Sequence, residues 1–170
     1  MNGDDSWNFD RWVKTLPSSR MVLPRRSVDL AKYIFWRLYT PYHPIVRDTA
    51  LRFGFVAHEG RQDFRLGTIA PHQSVREFVL FLIEQGYHRH RVAWEDEGEL
   101  VSLRYAENFS YQYHIRIFAD GEVRGHYEYT PECAPLFHMK KIGMEDRRHV
   151  FLNMLNDRII SDPDHFGYGN

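Results

Sequence analysis

The stretch from Tyr111 to Tyr129, YQYHIRIFADGEVRGHYEY, constrains this chain more than any other. It reads as two alternating runs about Ala119-Asp120-Gly121. A three-residue hairpin loop, with Gly121 in its left-handed position, pairs Phe118 with Glu122, Arg116 with Arg124, His114 with His126 and Gln112 with Glu128. The other face then pairs Ile117 with Val123, Ile115 with Gly125 and Tyr113 with Tyr127. One face is apolar and the other polar. A two-residue Asp-Gly turn would set Ile115 against His126 and mix the faces, so the pattern selects the first register.

The same parity carries into the preceding residues. Strand-like runs at about 88–95 and 99–105 are joined by a turn at Glu97-Gly98, and an odd-length loop near Ala106–Ser110 leads into the hairpin. The polar face is then expected in three rows: Arg91–Ser102–His114–His126, Arg89–Arg104–Gln112–Glu128 and Ala93–Leu100–Arg116–Arg124. Val92, Trp94, Val101 and Leu103 join the apolar face. Helices must cover it. Ser74-Val75-Arg76-Glu77 is a capping box ahead of FVLFLIEQ, and Gly86 follows, so the spacing predicts a helix over 75–85. Met144 to Ile159 repeats apolar residues at helical spacing. The expected fold class is α+β: a four-stranded antiparallel meander (about 88–129) with helices packed on one face, preceded by an N-terminal helical segment.

That segment holds a helix of about 28–39 behind Ser27, with Leu30, Ala31, Ile34, Phe35 and Leu38 as its expected buried face. A second short helix of about 45–52 follows Pro41 and Pro44. Residues 53–68 suggest two short strands about His58-Glu59-Gly60. Residues 1–24 form an arm whose Trp7, Phe9, Trp12, Val13 and Leu16 are expected to dock onto the domain. The domain proper runs over 25–160, and 161–170 is a tail.

Composition narrows the class. Hydrophobic residues at 43% and charged residues at 26% suit a soluble globular domain. The longest apolar run, Phe78 to Ile83, is too short to span a membrane. The acidic, polar MNGDDSW is unlike a targeting peptide, so cytoplasmic is the expectation. The single cysteine, Cys133, excludes an internal disulfide and a multi-cysteine zinc site. A net charge of −1 carries no global nucleic-acid signature.

Function is therefore read from the polar face. Arg89 beside Arg104 and Arg116 beside Arg124 are unfavourable neighbours. An anion lying over them would relieve the repulsion, as would glutamates from elsewhere in the chain. The first case makes Arg91, Arg104, Gln112, Arg116, Arg124 and Glu128 ligand-binding candidates. The ligand would be an anionic, phosphate-bearing small molecule or nucleic acid, taken by a binding or regulatory domain. A plain solvated face is the competing reading. His114 and His126 offer a second chemistry. Opposed imidazoles can hold one divalent first-row metal ion, with Glu128 on the same face and Glu132 or His138 folding back from TPECAPLFH. They could equally act as catalytic acid and base in a hydrolase or phosphoesterase. No HExxH-type signature is present. The aromatic arm is the expected surface for a protein partner or self-association, and no membrane partner is expected.

Overall fold

The structure, a computed structural model, describes residues 3–19, 23–24, 26–54, 64–90, 96–134 and 145–161. Helices α1 (Gly3–Thr15), α2 (Ser27–Tyr39) and α3 (His43–Arg52) come first, with a 3-10 turn at Thr40–Tyr42 between the last two. There follow β1 (Phe64–Ile69), α4 (Val75–Glu84), β2 (His88–Arg89), β3 (Glu99–Ala106), β4 (Tyr111–Phe118), β5 (Glu122–Tyr129), α5 (Arg148–Leu155) and β6 (Ile159–Ile160). The fold is α+β with an open antiparallel sheet. Its order is β2-β3-β4-β5-β1-β6, so β1 and β6 extend the sheet beyond β5. Strands β2 to β5 follow one another in the order expected of the meander, and β1 falls largely within the 53–68 stretch read as strand-forming.

The β4–β5 hairpin has the register its parity predicts. His114 faces His126, Gln112 faces Glu128, Arg116 faces Arg124 and Ile115 faces Gly125. Gly121 closes the loop at φ 85°, the left-handed conformation expected of it.

The other two registers differ from expectation. Ser102 faces Arg116 and Arg104 faces His114, two residues along from the predicted pairs. The Asn108 carboxamide explains the shorter loop: its oxygen accepts from the backbone of Ser110 and Tyr111, so the chain reverses within fewer residues. At β2, His88 faces Arg104 and Arg89 faces Leu103, while the His90 amide donates to Ser102. This slip of one step reverses the parity. His88 and His90, not Arg89, share the side of Ser102 and Arg104. Residues 91–95, including Arg91, lie outside the described residues, as do 55–63, His138, Met144 and most of the tail.

The apolar face carries Val101, Leu103, Ile115, Ile117 and Val123. Helices α4 (Phe78, Val79, Leu82) and α5 (Phe151, Leu155) cover it. Each such side chain contributes about 1.5–3 kcal/mol on leaving water. Helix α4 starts at its capping box: the Glu77 amide donates to the Ser74 hydroxyl and the Ser74 amide to the Glu77 carboxylate. Those Ser74 hydrogen bonds hold the Glu77 carboxyl below its usual range. Gly125 makes room for Phe151 on β5; a Cβ there would sit 2.9 Å from Leu66 and 3.2 Å from the Phe151 ring.

The N-terminal arm docks. Leu16 enters the core, Trp12 and Val13 pack against it, and Arg76 lies over the Trp12 ring. Pro17 and Ser19 exchange backbone hydrogen bonds with Arg89, which covers the free edge of β2. Helix α2 forms where predicted, but its expected buried face is exposed: Leu30, Ile34, Phe35 and Leu38 all lie in solvent. The side that faces inward is aromatic instead, with Trp36 against Tyr39 and His43. Among the described residues, no helix is long and apolar enough to cross a membrane.

Two glycines separate backbone strain from close packing. Gly67 has φ 146° and a Cβ there would lie 2.2 Å from the Ile160 carbonyl oxygen, whereas Gly121 has nothing within 4 Å. Gly121→Ala should cost about 1 kcal/mol, for the left-handed conformation alone. Gly67→Ala should cost at least about 3 kcal/mol, because the β1–β6 pairing must also move. Urea melts of the two variants check the order.

Candidate metal centre

The second face of the sheet is polar and also buried. Arg104, Gln112, His114, Arg116, His126 and Glu128 are each at most 3% exposed. Groups of this kind survive burial only when hydrogen-bonded and charge-matched. Thr130 and Glu132, just past β5, are buried with them.

The centre of the face is a triangle of ligand atoms. His114 Nδ1 lies 3.2 Å from His126 Nε2, and His126 Nε2 lies 3.1 Å from the Glu128 Oε1. The third side, His114 Nδ1 to Glu128 Oε1, is 3.8 Å. Among the described residues this is the group of three whose donor atoms come together in the way a metal site needs. A circle through the three atoms has a radius of about 2.0 Å, so a single point lies within metal–ligand distance, about 2.0–2.2 Å, of all of them. The strand pleat produces this: His114 and His126 are cross-strand partners, and Glu128 is two residues on, on the same face.

Neighbouring groups orient the triangle. Ser102 Oγ lies 2.5 Å from His114 Nε2. When that nitrogen donates its proton to the hydroxyl, Nδ1 presents the lone pair that a metal requires. Gln112 donates through Nε2 to Glu128 Oε1 at 2.8 Å, and its own oxygen accepts from Arg104 at 3.1 Å. Arg104 in turn binds the Glu132 carboxylate through both terminal nitrogens, at 2.7 and 3.1 Å. The His90 ring meets the His114 ring edge-on, with 5.1 Å between centroids.

The expected arginine rows are divided among separate partners. Arg104 belongs to the network above. Arg116 is paired with Asp96 at 2.7 Å and with Glu99. Burial pushes the Glu99 carboxyl above its usual range, against the pull of Arg116. Arg124 bonds Glu122 at 2.6 Å and lies over the Phe118 ring. The repulsion expected between Arg116 and Arg124 is thus taken up by carboxylates of this chain. The structure brings together Arg104, Gln112, His114, His126 and Glu128, and sets Arg116 and Arg124 apart from them; Arg91 lies outside the described residues.

Sequence reasoning did not find His90, Asp96 or Glu99. His90 was hidden by the β2 parity. Asp96 and Glu99 flank the Glu97-Gly98 turn, and two acids beside a turn next to an arginine-bearing face were the available signal. Compared with family models, curated proteins and solved structures, the chain matches none.

The Arg104–Glu132 fork gives a direct test of the buried network. Glu132→Gln should destabilise by about 3 kcal/mol or more, because it strands a buried guanidinium. Arg104→Met combined with Glu132→Leu should recover most of that loss. A double-mutant cycle by denaturant melting reads both.

Proposed function

We propose that this protein binds a divalent first-row metal ion through His114, His126 and Glu128, and uses it to take an anionic, phosphate-bearing ligand. The observation that carries the reading is the triangle: two imidazole nitrogens and one carboxylate oxygen converge on one point at ligand distance. The hydrogen bond that His114 gives to Ser102 and the one that Glu128 takes from Gln112 are supports of the kind such ligands commonly have. Charge supplies the second half. Two neutral imidazoles and one carboxylate leave a divalent ion with a net single positive charge, and the Arg104–Glu132 pair adds none. A buried positive centre favours an anionic oxygen as its remaining ligand.

The number of protein ligands favours a second reading at the same ion. Three ligands leave a position where water can bind and be activated, the arrangement used in metal-assisted hydrolysis. A phosphoesterase would use the same residues.

Untagged protein should carry close to one equivalent of a first-row metal by mass spectrometry of the elements. His126→Ala and Glu128→Gln should lose it, and Ser102→Ala should weaken it roughly 10–100-fold. Inorganic phosphate should raise the melting temperature of the metal-loaded protein and leave the chelated protein unmoved. Turnover of p-nitrophenyl phosphate by the loaded protein alone would assign hydrolysis. Protein that neither carries a first-row metal nor takes one up on titration contradicts the proposal.

A further inference from the structure

Residues 27–52, helices α2 and α3 with the turn between them, present seven of the twelve large apolar side chains that the described residues leave in solvent. The chain stays right-handed helical through the 3-10 turn between them, with Thr40 at φ −48°, ψ −43° and His43 at φ −50°, ψ −46°. Helices α2 and α3 are thus joined through a turn that keeps the helical sense. Their inner side is closed by Trp36 and His43, which are buried. Their outer side carries Leu30, Ile34, Leu38, Tyr42 and Ile45, spaced at intervals of three or four residues, and so a continuous stripe. Leu38 and Ile45 are both 67% exposed.

We propose that this stripe is the interface between two copies of this chain. The area supports it. With Phe35, the stripe leaves on the order of 800 Å² of side chain in water, which is what each partner of a standard interface contributes and more than a lone soluble domain exposes in one patch. The pattern also suits a twofold axis. About Leu38 the steps are equal in both directions, to Ile34 and Tyr42 and then to Leu30 and Val46. In an antiparallel crossing Leu38 meets Leu38 of the second copy, and Ile34 meets Tyr42 of the second copy, the self-complementarity that an isologous contact requires. Arg37 flanks the stripe at helical spacing from Ile34, and Lys32, on the other side, is held by Asp29 at 3.6 Å. The interface lies on other elements than the metal centre and does not depend on it.

Sedimentation velocity on the full chain, from about 1 to 100 µM, tests the proposal. A dimer is expected, and Leu38→Glu should raise its dissociation constant roughly 100-fold or more with the circular dichroism unchanged. Ile45→Lys is a second variant with the same expected effect, should Leu38→Glu fail to fold. A monomer throughout the range overturns the proposal. So does a dimer that both variants leave intact. A monomer that floats with vesicles of phosphatidylglycerol overturns it too, by assigning the stripe to an anionic lipid surface.

Discussion

A file of polar side chains linked one to the next, running Glu132, Arg104, Gln112, Glu128, His126, His114 and Ser102, is what allows the centre of this sheet to be buried on its polar face as well as its apolar one. An antiparallel sheet of this kind usually leaves one face to water. Here the central residues of both faces are buried, one set packed against helices and the other hydrogen-bonded along the face. The polar face has little freedom to rearrange, because each member fixes the next. Glu132 sets the guanidinium of Arg104, which orients the Gln112 carboxamide, which holds the carboxylate of Glu128 beside the two histidines. The precision of the triangle follows from that chain and from the cross-strand pairing beneath it.

The sequence carried the hairpin register because its two faces differ so sharply in polarity. A shift of one residue would have put Ile115 beside His126, and nothing in the chain could have compensated. The His114–His126 pair and the nearby Glu128 were legible for the same reason. The β3–β4 offset was not, since it depends on the Asn108 side chain bonding the backbone of its own loop. The β2 parity was not, since it turns on residues between His90 and Glu99 whose alternation does not point to one register. The burial of the polar face was also invisible. Arginine and histidine on alternate positions read as a wet surface until the carboxylates that match them, Asp96, Glu99 and Glu132, are brought in from turns and from beyond β5. Helix α2 was read with the wrong side inward because its aliphatic stripe outweighed its aromatic one. Trp36, Tyr39 and His43 pack on one another and take the inner side.

The two halves of the chain meet two different demands. The sheet half holds its polar groups rigidly, and a metal ion bound there would be coupled to folding, since the three ligands come from strands that exist only in the native sheet. The helical half keeps a continuous apolar stripe in solvent, which stabilises nothing in a single copy. Burial of that stripe and occupation of the triangle are separate events, on separate elements, and each can be altered without touching the other.

Anomalous diffraction from crystals of untagged protein, recorded above and below the absorption edge of the metal it carries, shows whether the triangle is a metal site. A single anomalous peak is expected about 2.0–2.2 Å from His114 Nδ1, His126 Nε2 and Glu128 Oε1, with an oxygen atom completing its coordination. A peak ligated by other residues, or a triangle closed by hydrogen bonds alone in crystals grown with first-row metals, would contradict that expectation.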